Sequence, residues 1–139
     1  RMLFRAWNVG ELDRMALPPC HMVYQFHVNS RRELSCLLLQ RSADLFTGVP
    51  FNWTSAAALV HMIAQQADLT PGELVWVGGD VHIYLNHLEQ VEEQMTREPR
   101  AMPTLRLTRR PDSIDGYAIG DFLIEGYEPH PAIHGAVAV

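Results

Sequence analysis

Between Leu17 and Asn52 the chain crowds a thiol, a guanidinium, two carboxamides and a carboxylate onto neighbouring short segments. Cys20 is the intrinsic nucleophile among them. A free cysteine titrates near ~8.5 and is mostly thiol at neutral pH, so nucleophilic use needs a neighbour that favours the thiolate. Arg41, permanently charged, is the candidate neighbour. The alternative is that Cys20 is a small buried hydrophobe and Arg41 a strand-end surface charge. Asn52 carries a donor and an acceptor on one planar amide. That suits reading the edge of a heterocycle, or alternatively capping the helix that follows it.

The elements around these groups set their spacing. Residues 21–28 and 33–41 are rich in aliphatic and aromatic side chains and flank the polar turn Asn29-Ser30-Arg31-Arg32, which predicts an antiparallel hairpin. Counting outward from the turn places Val28 opposite Glu33, Tyr24 opposite Leu37 and Cys20 opposite Arg41. Such partners sit roughly 4.5–5.5 Å apart, and a bulge would shift the count. Cys36 falls mid-strand among leucines on the face opposite Cys20, which reads as core packing and argues against a Cys20–Cys36 disulfide.

A first strand is expected around Met2–Trp7, and a helix from about Asn52 to Ala67 that is apolar nearly all round and should be buried. A strand over Glu73–Tyr84 follows, with a bend or bulge at Gly78-Gly79. His82 and Tyr84, two apart on that strand, would share one face. A helix over about Leu85–Arg97, short strands near Thr104–Thr108 and Phe122–Glu125, and an irregular tail complete the chain. Strands mixed irregularly with helices point to an α+β fold, a mixed sheet with a long buried helix.

With 139 residues the length fits one domain, and 47% hydrophobic residues suffice for a core. No apolar run approaches the ~20 residues needed to span a bilayer. The formal charge of −5 argues against general nucleic-acid binding. An acidic protein that takes an anionic ligand must do so with a few placed arginines. Two separated cysteines suit a reducing cytosol. His27, His61, His87, His130 and His134 show no zinc-like spacing, so no metal is assigned.

Longer patterns run through the chain. Pro19-Cys20-His21, Gln40-Arg41-Ser42-x-Asp44 and Gly48-Val49-Pro50-Phe51-Asn52 resemble the signature of thymidylate synthases. Trp76-x-Gly78-Gly79-Asp80-x-His82-x-Tyr84-x-Asn86-His87, Arg97-Glu98-Pro99-Arg100, Gly126-Tyr127-x-Pro129-His130-Pro131 and the final Ala136-Val137-Ala138-Val139 continue it. The resemblance covers nearly the whole chain and implies a thymidylate synthase-like fold. It also implies that the chain is the C-terminal part of a larger domain. The family's N-terminal half supplies a further phosphate-binding arginine, a catalytic glutamate and tryptophans that pack on the folate.

The resemblance implies conversion of dUMP to dTMP with 5,10-methylenetetrahydrofolate, through covalent addition of Cys20 to the pyrimidine. It assigns catalytic roles to Cys20, Arg41, Asn52, His21 and Asp44. Arg1, Gln40, Arg41, Ser42, Asp44, Asn52, His82 and Tyr84 would hold dUMP. Arg41 and Ser42 would lie on its phosphate, Asn52 on its base, and His82 and Tyr84 on the ribose hydroxyl. Arg1 would reach the phosphate in a partner subunit, and His21 would join the water network near the base. Leu17, Asp44, Gly48, Phe51 and Ala138 would meet the folate, with the last three residues closing over it. A homodimer with shared active sites is implied; binding of messenger RNA is a family property to which the acidic charge lends no support.

Trp53, Thr47 and His134-Gly135 depart from the usual family text, and the 29–32 loop is slightly lengthened. Two other functions fit the same motifs. One is a deoxyuridylate hydroxymethylase, in which water replaces hydride. The other is a catalytically incomplete piece that serves binding or dimerisation.

Overall fold

A computed structural model describes residues 2–137, and within it the chain forms two compact units, one ending at His82 and the other beginning at Ile83. The first unit is a four-stranded sheet in the order β1-β2-β3-β4, with one long helix, α1. Its strands are β1 (Met2–Arg5), β2 (His21–Val28), β3 (Glu33–Asp44) and β4 (Thr70–His82), and α1 spans Val49–Gln66. β1, β2 and β3 are antiparallel neighbours, whereas β3 and β4 run parallel. Parallel strands need a long crossover, and α1 supplies it. The fold is therefore the expected α+β, with a mixed sheet.

β3 alternates strictly: Leu34, Cys36, Leu38 and Gln40 are buried on one face. Against that face α1 lays Val49, Ala56, Val60 and Ala64, whose spacing makes one stripe on a helix. Phe26, Leu34, Cys36, Val60 and Ala64 form the core, with Tyr24, Leu59, Ile63, Leu69 and Leu74 packed around it. The helix buries this stripe, while Phe51 and Trp53 at its start are exposed.

Helix α1 begins three residues before the expected start. Pro50 lies in the first turn, where its missing N–H costs nothing, and Gly48 is the N-cap. Asn52 is thus inside the helix, its N–H bonded to the Gly48 carbonyl (3.1 Å), and does not cap it.

The hairpin register also differs from the count. Arg32 adopts φ +61°, and its N–H donates to the Asn29 carbonyl (3.1 Å) while the Asn29 N–H donates to the Glu33 carbonyl (3.1 Å). The turn therefore consumes one residue more, and Val28 faces Leu34 and Tyr24 faces Leu38. Asn29 Oδ1 holds the turn by accepting from the N–H groups of Arg31 and Glu33, both at 3.0 Å.

Gly78-Gly79 is not a bend. Pairing with β3 runs unbroken from Cys36↔Leu74 to Asp44↔His82, and the irregularity lies earlier, between Leu34 and Cys36. The two glycines serve close approach instead. A Cβ at Gly78 would meet the Trp76 ring at 2.4 Å, and one at Gly79 the Arg41 carbonyl oxygen at 2.9 Å. β4 ends at His82, so Tyr84 lies beyond the strand, and the shared-face argument for this pair does not hold.

The second unit holds α2 (Leu88–Met95), preceded by a single 3-10 turn over Leu85–His87. It also holds an antiparallel pair, β5 (Thr104–Leu107) and β6 (Phe122–Glu125). Side chains on and beside α2 fasten the irregular C-terminal stretch. Asn86 Nδ2 and His87 Nε2 reach the Ala136 carbonyl (3.2 and 2.6 Å), and Arg97 Nη1 donates to the Pro131 carbonyl (2.7 Å). Among the described residues no helix is long and apolar enough to cross a membrane.

Asp121 knots the β5–β6 connection. Its Oδ2 accepts from the Ala118 N–H and its Oδ1 from Arg109 Nε, both at 2.7 Å. The backbone bond first, and the guanidinium second, hold its carboxyl below the usual carboxylate range. A depressed folded value means stability present above the unfolded value of about 4 and lost as pH falls through the folded one. Wild-type protein should lose unfolding midpoint between pH 5 and strong acid more steeply than Asp121→Asn; parallel curves would contradict this.

Candidate active site

The groups singled out by chemistry gather at the C-terminal ends of β3 and β4 and the first turn of α1. The bulge in β2 between His21 and Val23 brings Cys20 and His21 to this end of β3. It returns the register to His21↔Gln40, undoing the offset introduced at the turn. Cys20 then lies against Arg41, whose N–H donates to the Cys20 carbonyl at 3.0 Å. The expected neighbours are neighbours, by way of two compensating irregularities.

The Arg41 guanidinium ties down the approach to the cysteine. Nη2 donates to the Pro18 carbonyl (2.8 Å) and Nε to the Pro19 carbonyl (3.1 Å). Its Cζ lies 5.5 Å from the centre of the Trp7 ring, within cation–π range. Those two bonds use two of the five guanidinium N–H donors, so three remain for an anion.

A second cluster is built on hydrogen bonds between side chains. Trp76 Nε1 donates to Gln40 Oε1 (2.6 Å), and Gln40 Nε2 donates to Asn52 Oδ1 (2.8 Å). Gln40 is wholly buried, so both ends of its amide need partners, and both have them. Trp53 packs edge-on against Trp76, ring centres 5.4 Å apart.

His21 stacks on Tyr24 with ring centres 6.1 Å apart. Burial lowers its pKa, which favours the neutral imidazole, and its Nε2 is buried without a hydrogen-bond partner. Asp44 turns its carboxylate into the turn that opens α1: Oδ1 accepts from the Phe46 N–H (3.1 Å) and Oδ2 from the Thr47 hydroxyl. The Gly48 N–H donates to the Asp44 carbonyl (3.1 Å), close enough that a Cβ at Gly48 would sit 3.1 Å from that oxygen.

Parallel pairing sets Ser42 beside Asp80 and Asp44 beside His82. His82 Nδ1 lies 3.3 Å from the Asp80 carbonyl oxygen and 3.7 Å from its carboxylate. Leu17 and Phe51 are 71% and 75% exposed, so both offer apolar surface to a ligand rather than to the core. Tyr84 belongs to the second unit, where its ring meets His87 edge-on at 6.0 Å. Arg1 and Ala138 lie outside the described residues. Among the described residues no cluster of three or more His, Cys, Asp or Glu is placed to hold a metal ion.

Sequence reasoning missed the parts played by Trp7, Thr47, Trp76 and the Pro18 and Pro19 carbonyls. The consecutive prolines before Cys20 were the one local signal. Nothing local signals Trp76, because its partner Gln40 is reached only through the parallel β3–β4 pairing.

The sequence model of one family, described as thymidylate synthase, matches residues 1–139. Curated relatives agree. A thymidylate synthase of Rhodopseudomonas palustris (strain BisA53) is 66% identical over 139 residues, all of this chain and 47% of that protein. One of Zymomonas mobilis is 65% identical, with the same coverage. One of Rhizobium rhizogenes (strain K84) is 62% identical over 147 aligned residues, all of this chain and 48% of the relative. The chain thus spans about half the length of the curated relatives it matches.

The two thiols differ sharply in environment. Both are free, but Cys36 is 1% exposed and burial pushes its pKa up to about 11, whereas Cys20 is only partly buried. Under native conditions iodoacetamide should label Cys20 and spare Cys36, as read by peptide mass after digestion. Equal labelling, or labelling of Cys36 first, would contradict this placement.

Proposed function

Since the chain belongs to the thymidylate synthase family, we propose that it carries the nucleophile and base-reading half of an enzyme that converts dUMP to dTMP. The observation that carries this reading is the joining of Cys20, just before β2, to Arg41 on β3, and of the adjacent Gln40 to Asn52 on α1.

Cys20 Sγ would add to ring carbon 6 of dUMP, forming a C–S bond and making carbon 5 nucleophilic; the same bond breaks when product leaves. Arg41 would bind the phosphate with the donors that Pro18 and Pro19 do not use, and Ser42 would add a hydrogen bond to it. Asn52 would read the base, and His82 and Tyr84 the sugar hydroxyl. His21 would order water near the base, its neutral ring able to donate or accept.

The residues assigned to folate fit an amphipathic ring system. Asp44 offers a carboxylate held by Phe46 and Thr47, Gly48 keeps the backbone open, and Phe51 and Leu17 offer exposed apolar surface. Arg1 and Ala138 belong to this proposal by family pattern alone. 5,10-Methylenetetrahydrofolate would supply the carbon unit and the hydride that make the methyl group. Leu3, Val75 and Val77 project from the sheet face opposite α1 and are exposed, and we assign that face to contact with a second copy of the protein.

The full-length protein that carries this chain should turn dUMP and methylenetetrahydrofolate into dTMP and dihydrofolate, identified by mass. Cys20→Ser should lower the rate by about 10³-fold or more, the scale expected for losing a covalent nucleophile. Hydroxymethyl-dUMP with tetrahydrofolate would instead identify the hydroxymethylase. No turnover, with nucleotide binding unchanged by Cys20→Ser, would leave only the binding role.

A further inference from the structure

A carboxamide cannot by itself tell uracil from cytosine. Uracil presents an N3–H donor beside the O4 acceptor, and cytosine presents an N3 acceptor beside an N4–H donor. Turning the Asn52 amide over exchanges its oxygen and nitrogen and so exchanges the two bases. Whatever fixes the sense of that amide fixes the base.

We propose that Trp76 is the residue that fixes it, a positioning residue acting through Gln40. An indole nitrogen can only donate. With Trp76 Nε1 at 2.6 Å, Gln40 must present its oxygen there, and its Nε2 is therefore the end that meets Asn52, at 2.8 Å. Asn52 must then present Oδ1 to Gln40, because the opposite sense would set two donors face to face. The remaining lone pair of Oδ1 and the Nδ2 donors form an acceptor–donor edge, complementary to uracil and mismatched to cytosine. Each amide in this relay is ambiguous alone, and the donor-only indole at its head removes the ambiguity for both.

Two further contacts hold the indole in place. Gly78 leaves the space that the Trp76 ring occupies, since a Cβ there would lie 2.4 Å from Cη2. Trp53, one of the residues that depart from the family text, packs edge-on against the same ring from the N-terminal part of α1. Gln40 is fully buried, so water cannot take over the vacated acceptor and leave the sense unchanged.

This inference rests on the proposed reading of Asn52 as the base contact. Its test is the ratio of dUMP to dCMP affinity, measured by calorimetric titration of the full-length protein and of Trp76→Phe. Phenylalanine keeps the ring and removes only the donor. The ratio should fall by about tenfold or more, the scale of one lost hydrogen-bond constraint, with dCMP binding gaining in relative terms. A Trp76→Phe protein that discriminates as well as wild type would overturn the inference while leaving the base-reading role intact. A wild type that takes up neither nucleotide would overturn the base-reading role itself. If Trp76→Phe does not fold, hydrogen exchange on the wild type decides. Among Trp7, Trp53 and Trp76 the Trp76 indole N–H should exchange much the slowest, and exchange as fast as that of exposed Trp53 would overturn the relay.

Discussion

The placement of Cys20 and His21 at the candidate site depends on one extra residue in β2. The turn at Asn29–Arg32 uses a left-handed Arg32 and so offsets the two hairpin strands by one position. Because strand side chains alternate, an uncorrected offset would carry through to the far end and send every later pair to the wrong partner. The bulge before Val23 absorbs it. Beyond the bulge His21 meets Gln40, the Cys20 carbonyl meets the Arg41 N–H, and the His21 ring joins the face of Tyr24. Bulges next to functional sites commonly re-aim a side chain in this way.

Two networks lie on opposite faces of β3. On one face Arg41 reaches back to the Pro18 and Pro19 carbonyls and lies over Trp7, which fixes the path into Cys20. On the other, Gln40 is locked between Trp76 and Asn52. Adjacent residues of one strand thus hold the loop that leads to Cys20 and the Asn52 amide. Neither network costs the core much, since every buried polar end in the Gln40 relay has a partner. Gly78 and Gly79 complete the arrangement by letting an indole and a carbonyl come close where a methyl group would intrude.

What could be read in the sequence was mostly local. The α+β character, the order of the strands and helices along the chain, the core role of Cys36 and the Phe122–Glu125 strand all follow from hydrophobic period and turn residues. The Cys20–Arg41 adjacency was also readable, although the count reached it through a turn one residue too short and a strand without its bulge. Those two departures cancel only at this end of the hairpin. The helix starts before Asn52, which looks like a cap, because Pro50 tolerates an earlier start. The glycine pair looked like a bend because the reason for it, Trp76 and the Arg41 carbonyl, lies on the same and the neighbouring strand. The apolar pattern runs on to Tyr84, but the strand ends at His82. The Trp76–Gln40–Asn52 relay was beyond local reading, since it needs the parallel pairing of strands separated by all of α1.

The claim that the β2 bulge delivers Cys20 to Arg41 can be tested by disulfide trapping. In a Cys36→Ser background of the full-length protein, Arg41→Cys and Ser42→Cys each offer Cys20 one new partner. A disulfide forms readily only between residues whose Cα atoms lie within about 7 Å and whose side chains share a face. The account predicts that mild oxidation links Cys20 to the cysteine introduced at position 41 and leaves the one at position 42 unlinked. Linkage at position 42 in preference to 41 would show that the turn's offset persists to the end of the hairpin, and would contradict the account.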